Sequence, residues 1–494
     1  MSRIIARVVL PALCLIAFAS LQAQEPAAPP PFATAPTLTL EECIARALEK
    51  NFDLKVSTFS SEIARESLNV EKAAFEPTFN ASIERFVAQS SPESGGRRSD
   101  TTDARIGVVQ FLPTGASVNV SASVDRSGGN FSSYAFNPAY NSDVALVVRQ
   151  PLLRGAGTAY NRSFIERSRL GVEIARLNFK SDVLQVVRDT EAAYFNLVFA
   201  REQLAVKQHS LGLAERLFEE NKTRKLTGVA TDLDVLSAEV GIATARNGVV
   251  IAEQGVRNNE DALLALIGQF EFNSTLGTVG LLPYQEPSPS FDLSYKLARE
   301  NQPDYLATQT SIKQLGIDAN NARNSSRPTL DVGGSVGYNG VDRSYTGAIE
   351  DVRNGDAHSW GVDLTLSVPW GLHADKARYR SALASLRQQE ARLQSLEQNL
   401  LVRVRSAVRA VDTNQQSVEI NRQATALATR QYELELARFK AGLSTSRQVL
   451  QVQDDLEQAR VNELLARVNL RIAIANLHQL ETSSLEQYRI NLAD

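Results

Sequence analysis

A chain of 494 residues, 43% of them apolar, is long enough to bury a large core, and its formal charge of −4 excludes the strongly basic balance of a nucleic-acid binder. Two cysteines and four histidines exclude a disulfide framework and leave little material for a metal cluster. At the N-terminus, Arg3 and Arg7 precede the apolar run Val8 to Ala19 and then small residues, the order of a secretory signal peptide over residues 1–23. Cleavage after Ala19 or after Ala23 fits equally well. Cys14 follows Leu13, where a lipoprotein signal would place a small residue, so lipid anchoring is not favoured. Cys43 is then the only remaining cysteine, and no internal disulfide can form despite export. No later stretch reaches the ~18 uninterrupted apolar residues of a membrane helix. A periplasmic protein and an outer-membrane β-barrel both remain open.

Residues 24–36, with EPAAPPPFATAP, form a Pro/Ala-rich leader without the makings of a core. Residues 37–290 and 291–494 then read as two repeats. Each opens with a helical run, Leu40 to about Phe75 and Phe291 to about Ser326, in which Asp53 matches Asp304 and Pro77 matches Pro328 at one offset. Strand patterns follow. In the second repeat Leu330 to Tyr338 and Trp360 to Trp370 alternate apolar with polar residues, and Asp331, Ser335, Asp363, Thr365 and Ser367 share the polar side. Strands of about ten residues with a wet face and aromatic ends favour a membrane barrel over a periplasmic sandwich. The first repeat holds four candidates: Thr78 to Val87, Ala104 to Phe111, Ala116 to Val124 and Ser142 to Leu152. Their loops run long, short, long, so the hairpin 104–124 is extra to the plan of the second repeat. Its place inside or outside a barrel is left open.

From Thr158 to Lys225, and again from His373 to Lys440, there is no proline, and apolar residues such as Leu184, Val187, Tyr194 and Val198 recur at coiled-coil spacing. Each run predicts a helix of ~100 Å at 1.5 Å per residue. Returning helices are predicted over Thr231 to about Ile267 and Thr445 to about Leu480. Between the outgoing and returning helices lie KLTGVAT, Lys225 to Thr231, and FKAGLST, Phe439 to Thr445. In both, a Gly suited to the left-handed turn of a helix C-terminus precedes a Thr that can cap the next helix. These are the tips of two helical hairpins.

With LTLEECIARAL at Leu38 to Leu48, the Pro77 and Pro328 strand entries, QPLLRG at Gln150 to Gly155 and the two tips, the chain resembles the TolC-like outer-membrane efflux proteins over nearly its whole mature length. The resemblance implies a mixed α and β fold. It is a trimeric outer-membrane β-barrel continuous with a long periplasmic α-helical barrel, built from two internal repeats. It implies a homotrimer in outer-membrane lipid, joined to a periplasmic adaptor and an inner-membrane transporter, serving as the exit duct of a tripartite efflux or type I secretion system. Cargo, small molecule or polypeptide, is left open; a non-conducting tethering scaffold is the rival. The family's usual two strands per half close a twelve-stranded barrel, and the extra hairpin departs from that.

By the same resemblance Leu226, Thr227, Gly228, Val229, Ala230 and Thr231, with Ala441, Gly442, Leu443, Ser444 and Thr445, are the adaptor contact. The periplasmic gate falls on Asp232, Asp234, Arg447, Gln448, Gln451, Asp454 and Asp455, with Arg447 expected to pair with Asp232 or Asp234. Gln448 and Gln451 stand where some members carry rings of Asp, which counts against a tight cation-binding constriction there. No catalytic constellation or cofactor motif is present, and His209, His358, His373 and His478 have no metal-ligand spacing. The expectation is a non-enzymatic protein without cofactor or metal.

Overall fold

A computed structural model describes residues 38–130, 135–268, 276–280, 289–355, 357–368 and 370–491. The signal peptide and the Pro/Ala-rich leader lie outside them. The expected first helix is two, α1 (Leu40–Lys50) and α2 (Phe52–Ala73), because Asn51 takes an extended backbone and its side chain accepts from the N–H groups of Asp53 and Leu54. The same break recurs 251 residues on. There Gln302 separates α6 (Phe291–Asn301) from α7 (Pro303–Ser325), and Pro303 disfavours helix at the residue before it. Thr39 caps α1 through a reciprocal pair with Glu42.

All six strands, β1 (Thr78–Gln89), β2 (Arg98–Phe111), β3 (Ser117–Gly129), β4 (Ala139–Pro151), β5 (Thr329–Asp342) and β6 (Ala357–Ser367), form one antiparallel sheet in sequence order. The extra hairpin is therefore part of the sheet. β2 pairs along its length with β1 and β3, from Thr78 opposite Val109 to Gln89 opposite Arg98. Most strands run beyond the stretch that alternates. Ser99 to Thr102 and Arg126 to Gly129, expected as polar loop, pair with each other in register. The polar stretch between β5 and β6 holds a helix, α8 (Tyr345–Asn354), and β6 ends at Ser367, short of the expected Trp370.

Register sorts the side chains into two faces. One carries Phe79, Val108, Val120, Leu146, Val336 and Trp360 in one row and Ala81, Ile106, Ala122, Val144 and Tyr338 in the next. The other carries Asn80, Ser121, Ser123, Asp143, Asn339 and the five polar residues singled out above. From Leu330 to Gly340 the apolar face spans ~34 Å of strand, or ~25 Å along the membrane normal at a tilt of ~40°. That matches the apolar band of an outer-membrane barrel.

The helical part is an array in the order α5, α4, α10, α9, made of α4 (Ser163–Leu226) and α9 (His373–Lys440), each ~100 Å long, with the returning α5 (Asp232–Leu266) and α10 (Ser446–Glu481). A short helix, α3 (Thr158–Asn161), precedes α4, so the long run begins a turn later than its pattern suggests. α2 and α7 stack against α4 and α9 above the returning helices. Val183, Val187, Leu197 and Val198 of α4 form a core with Cys43, Ile44 and Leu263, and Leu400, Val404 and Val411 of α9 form another with Leu470 and Leu477 of α10. Cys43 is fully buried there, and burial pushes its thiol up to about 11, so it is packing and not a nucleophile. Glu191 is buried beside that core, where it accepts a hydrogen bond from the Tyr488 hydroxyl; burial pushes its carboxyl up to about 7.

Two edges of each layer are left open, and they fall on the same sides. α2 runs directly into β1, and β6 runs into α9. On α2, Phe52, Val56, Phe59, Ile63 and Val70 form an exposed apolar stripe at helical spacing, and on α9, Ile420, Leu427 and Leu434 form another at intervals of seven. α5 adds exposed Leu233, Leu236 and Val240. α5 is also the one described helix long and apolar enough to cross a membrane, but its place in the array accounts for its apolarity as an edge.

Candidate docking and gating site at the hairpin tips

Both tips end their outgoing helix in the same way. After Leu226, Thr227 caps the helix, Gly228 takes φ +73°, its N–H donates to Lys225 O and the Val229 N–H donates to Arg224 O at 2.9 Å. In the second tip Ala441 caps, Gly442 takes φ +78°, and the Leu443 N–H donates to Arg438 O at 2.9 Å. This pair of bonds satisfies carbonyls that a helix end leaves open, and the left-handed residue between them costs any L side chain about 1–2 kcal/mol. The turn then presses its apolar residue outward. Leu226, Val229 and Leu443 are 85%, 65% and 71% exposed.

Thr231 and Thr445 cap the returning helices. The Asp234 N–H donates to Thr231 Oγ1 while the Thr231 N–H donates back to Asp234 Oδ2 at 2.9 Å, and the Gln448 N–H donates to Thr445 Oγ1 at 3.4 Å. The Thr231 hydroxyl, followed by its backbone N–H, holds the Asp234 carboxyl below the usual carboxylate range. Ser444 donates to Glu435, which also pairs with Arg438 at 3.1 Å. Ala230 completes the first tip, its N–H donating at 3.2 Å to Arg224 O, which also accepts from Val229.

Within one chain Arg447 meets neither aspartate. Asp232 pairs with Lys225 across the turn, Asp234 is held by its own cap, and Arg447 is exposed and forms no ion pair among the described residues. One turn up, Gln451 donates to Asp455 at 3.1 Å. Burial, then neighbouring Glu457 and Asp455, raise the Asp454 carboxyl. The residues expected to form the gate thus lie at one end of the array, and among the described residues no bond joins them across the two hairpins.

What joins the two hairpins was not singled out in the sequence. The buried Asn221 amide donates to the buried Ser446 hydroxyl at 2.8 Å. Arg224 donates to Phe439 O at 2.7 Å and stacks 4.4 Å from the Phe439 ring. Leu217, Phe439 and Val449 pack as a small core beneath, and Lys207 pairs with Glu457 higher up. A polar Asn in an outgoing helix and a Ser at the first position of a returning one was the available signal; it needed the hairpins to be placed side by side.

Comparison with known proteins gives the same answer as the geometry. The model of the outer membrane efflux protein family matches twice, over residues 103–269 and 294–481. The outer membrane efflux protein BepC of Brucella suis biovar 1 (strain 1330) is 22% identical over 330 residues, which cover 67% of this chain and 70% of BepC. The outer membrane protein TolC of Escherichia coli (strain K12) is 22% identical over 331 residues, 63% of this chain and 66% of TolC. Among solved structures the transmembrane channel CusC superposes with a TM-score of 0.69 at 14% identity, over 90% of this chain and 91% of that one. The chain belongs to the outer membrane efflux protein family: it is an outer-membrane efflux channel with its helices in the periplasm.

Proposed function

We propose that three copies of this chain close into one duct, β6 of one copy pairing with β1 of the next and α9 packing against the neighbouring α2 and α5. The observation that carries this reading is that both layers are open at both sides and that the helical edges bear apolar stripes, which a lone chain leaves in water. Closing the ring hydrogen-bonds both free strand edges and buries the stripes. Six strands per copy then make an eighteen-stranded wall, about one and a half times the diameter of the family's twelve-stranded one, since diameter grows with strand number. The polar face turns inward and the apolar face meets lipid.

The tips, Leu226 to Thr231 and Ala441 to Thr445, dock a periplasmic adaptor, and an inner-membrane transporter supplies the cargo. Their apolar residues stand out on rigid turns, so little ordering entropy is lost when a partner helix covers them. Arg447, without an ion pair among the described residues, reaches an acidic residue of an adjacent copy, and with Asp232, Asp234, Gln448, Gln451, Asp454 and Asp455 it narrows the resting entrance. Single-channel recording of the detergent-purified protein in planar bilayers tests the reading. Discrete conductance steps are expected. A well-folded trimer that gives none is a tethering pillar, and the channel reading fails.

A further inference from the structure

α8 sits on the wrong face for a pore loop. Gly340 belongs to the apolar face of β5, in a row with Ile83, Ala104, Val124 and Ser142. The helix lies so close over it that a Cβ there would stand 2.2 Å from Ala348 O. Tyr345 meets Tyr140 of the same face edge to face at 4.5 Å, and the Gly355 turn that ends the helix abuts Tyr338. α8 is thus fastened to the outside of the wall, at the end of the strands remote from the helical array. In the outer membrane that is the level of the outer leaflet.

Between α8 and β1 the face is hollow. Small residues, Ala81, Ala104, Ala122 and Ser142, floor a groove of about 540 Å³, walled by Ile83 and Ile106 on one side and by Ile349 and Val352 of α8 on the other. One row further out the same face turns cationic with Arg85 and Arg126. These two guanidinium groups share one carboxylate, Asp100, at 3.1 and 4.0 Å, and form no other ion pair among the described residues. The neighbouring Asp342 is turned to its own loop, accepting from the Ser344 N–H at 3.1 Å.

We propose that this groove binds an outer-leaflet lipid with a phosphate headgroup, one acyl chain lying between Ile106 and Ile349 and the phosphate between Arg85 and Arg126. The groove is continuous with the lipid-facing band, so its occupant comes from the bilayer. A guanidinium pair at headgroup level selects a phosphate oxyanion that carries net charge. An ordinary annular lipid would meet a smooth wall and no fixed cation.

The test is native mass spectrometry of the detergent-purified protein equilibrated with equal dioleoyl-phosphatidylglycerol and dioleoyl-phosphatidylcholine. The wild type should retain the anionic lipid over the zwitterionic one at least fivefold. Arg85→Gln with Arg126→Gln should bring the two to parity, and Ala104→Trp, which fills the groove from its half-buried floor, should lower retention of both by a similar factor. Equal retention by the wild type overturns the proposal. So does retention of the anionic lipid that Ala104→Trp leaves at the wild-type level, because the arginines would then be an anion site without a chain slot.

Discussion

The amide of Asn221, in the outgoing helix of the first hairpin, donates to the hydroxyl of Ser446, the first residue of the returning helix of the second, at 2.8 Å and out of contact with water. It ties the two hairpins together a turn from their tips. Ser446→Ala leaves the Asn221 amide buried and short of a partner, a loss of about 1–3 kcal/mol. Amide hydrogen exchange around residues 217–226 and 439–449 should therefore quicken about tenfold or more, with the strands unaffected. Unchanged exchange would mean that Leu217, Phe439 and Val449 hold the hairpins without the bond.

Removing β2 and β3 tests the width of the wall. Thr78 and Val147 lie in one row of the sheet, as do Phe79 and Leu146, so a chain deleted from Arg98 to Gly129 can pair β1 with β4 without turning any side chain to the other face. The barrel diameter measured by electron cryo-microscopy should fall to about two thirds of the wild-type value while the helical part keeps its dimensions. An unchanged diameter would show that the hairpin stands outside the closed wall.

Most of this architecture is legible in the residues. The long helices are free of proline, Gly228 and Gly442 mark the tips, and Asp331, Ser335 and Asp363 pick out the wet face, all through short-range rules of pattern and turn chemistry. Three features escaped for want of such a rule. Ser99 to Thr102 and Arg126 to Gly129 carry no apolar residue on either face, and pairing with each other, not burial, makes them strand. Asn51 breaks a helix through its own side chain at a place where the apolar pattern continues. The Asn221 to Ser446 tie joins residues 225 apart, and no local pattern announces it. Within one chain Asp232 is taken by Lys225 across the turn, a pairing between near neighbours that the tip sequence did not single out.

Glu191 makes stability fall as the solution becomes less acidic. Its carboxyl is raised from 4.5 to about 7 by burial, so the folded protein holds a proton there that the unfolded chain has released. This group's contribution is greatest below about pH 4.5, declines as pH rises to about 7 and is lost above that, a total of about 3 kcal/mol per copy. Glu191→Gln should remove that component and raise the melting temperature above pH 7. A variant that melts lower than the wild type at pH 8 would mean that the ionised carboxylate and the Tyr488 hydroxyl form a favourable pair.

Arg447 separates the gate from the caps that surround it. Asp234→Ala would break the cap that holds Thr231 and cost about 1 kcal/mol of helix stability, so a leak through that variant would not identify a gate. Arg447 is exposed and forms no side-chain bond among the described residues, so Arg447→Ala tests what it does between copies. The resting conductance should rise severalfold, and cells carrying the variant should become sensitive to vancomycin at normal protein levels. Lys225→Ala frees Asp232 without touching that contact and should leave the resting conductance low. If the Arg447 variant conducts like the wild type, the entrance is closed by the hairpins' own packing around Asn221 and Phe439, and Arg447 belongs to the adaptor-facing surface instead.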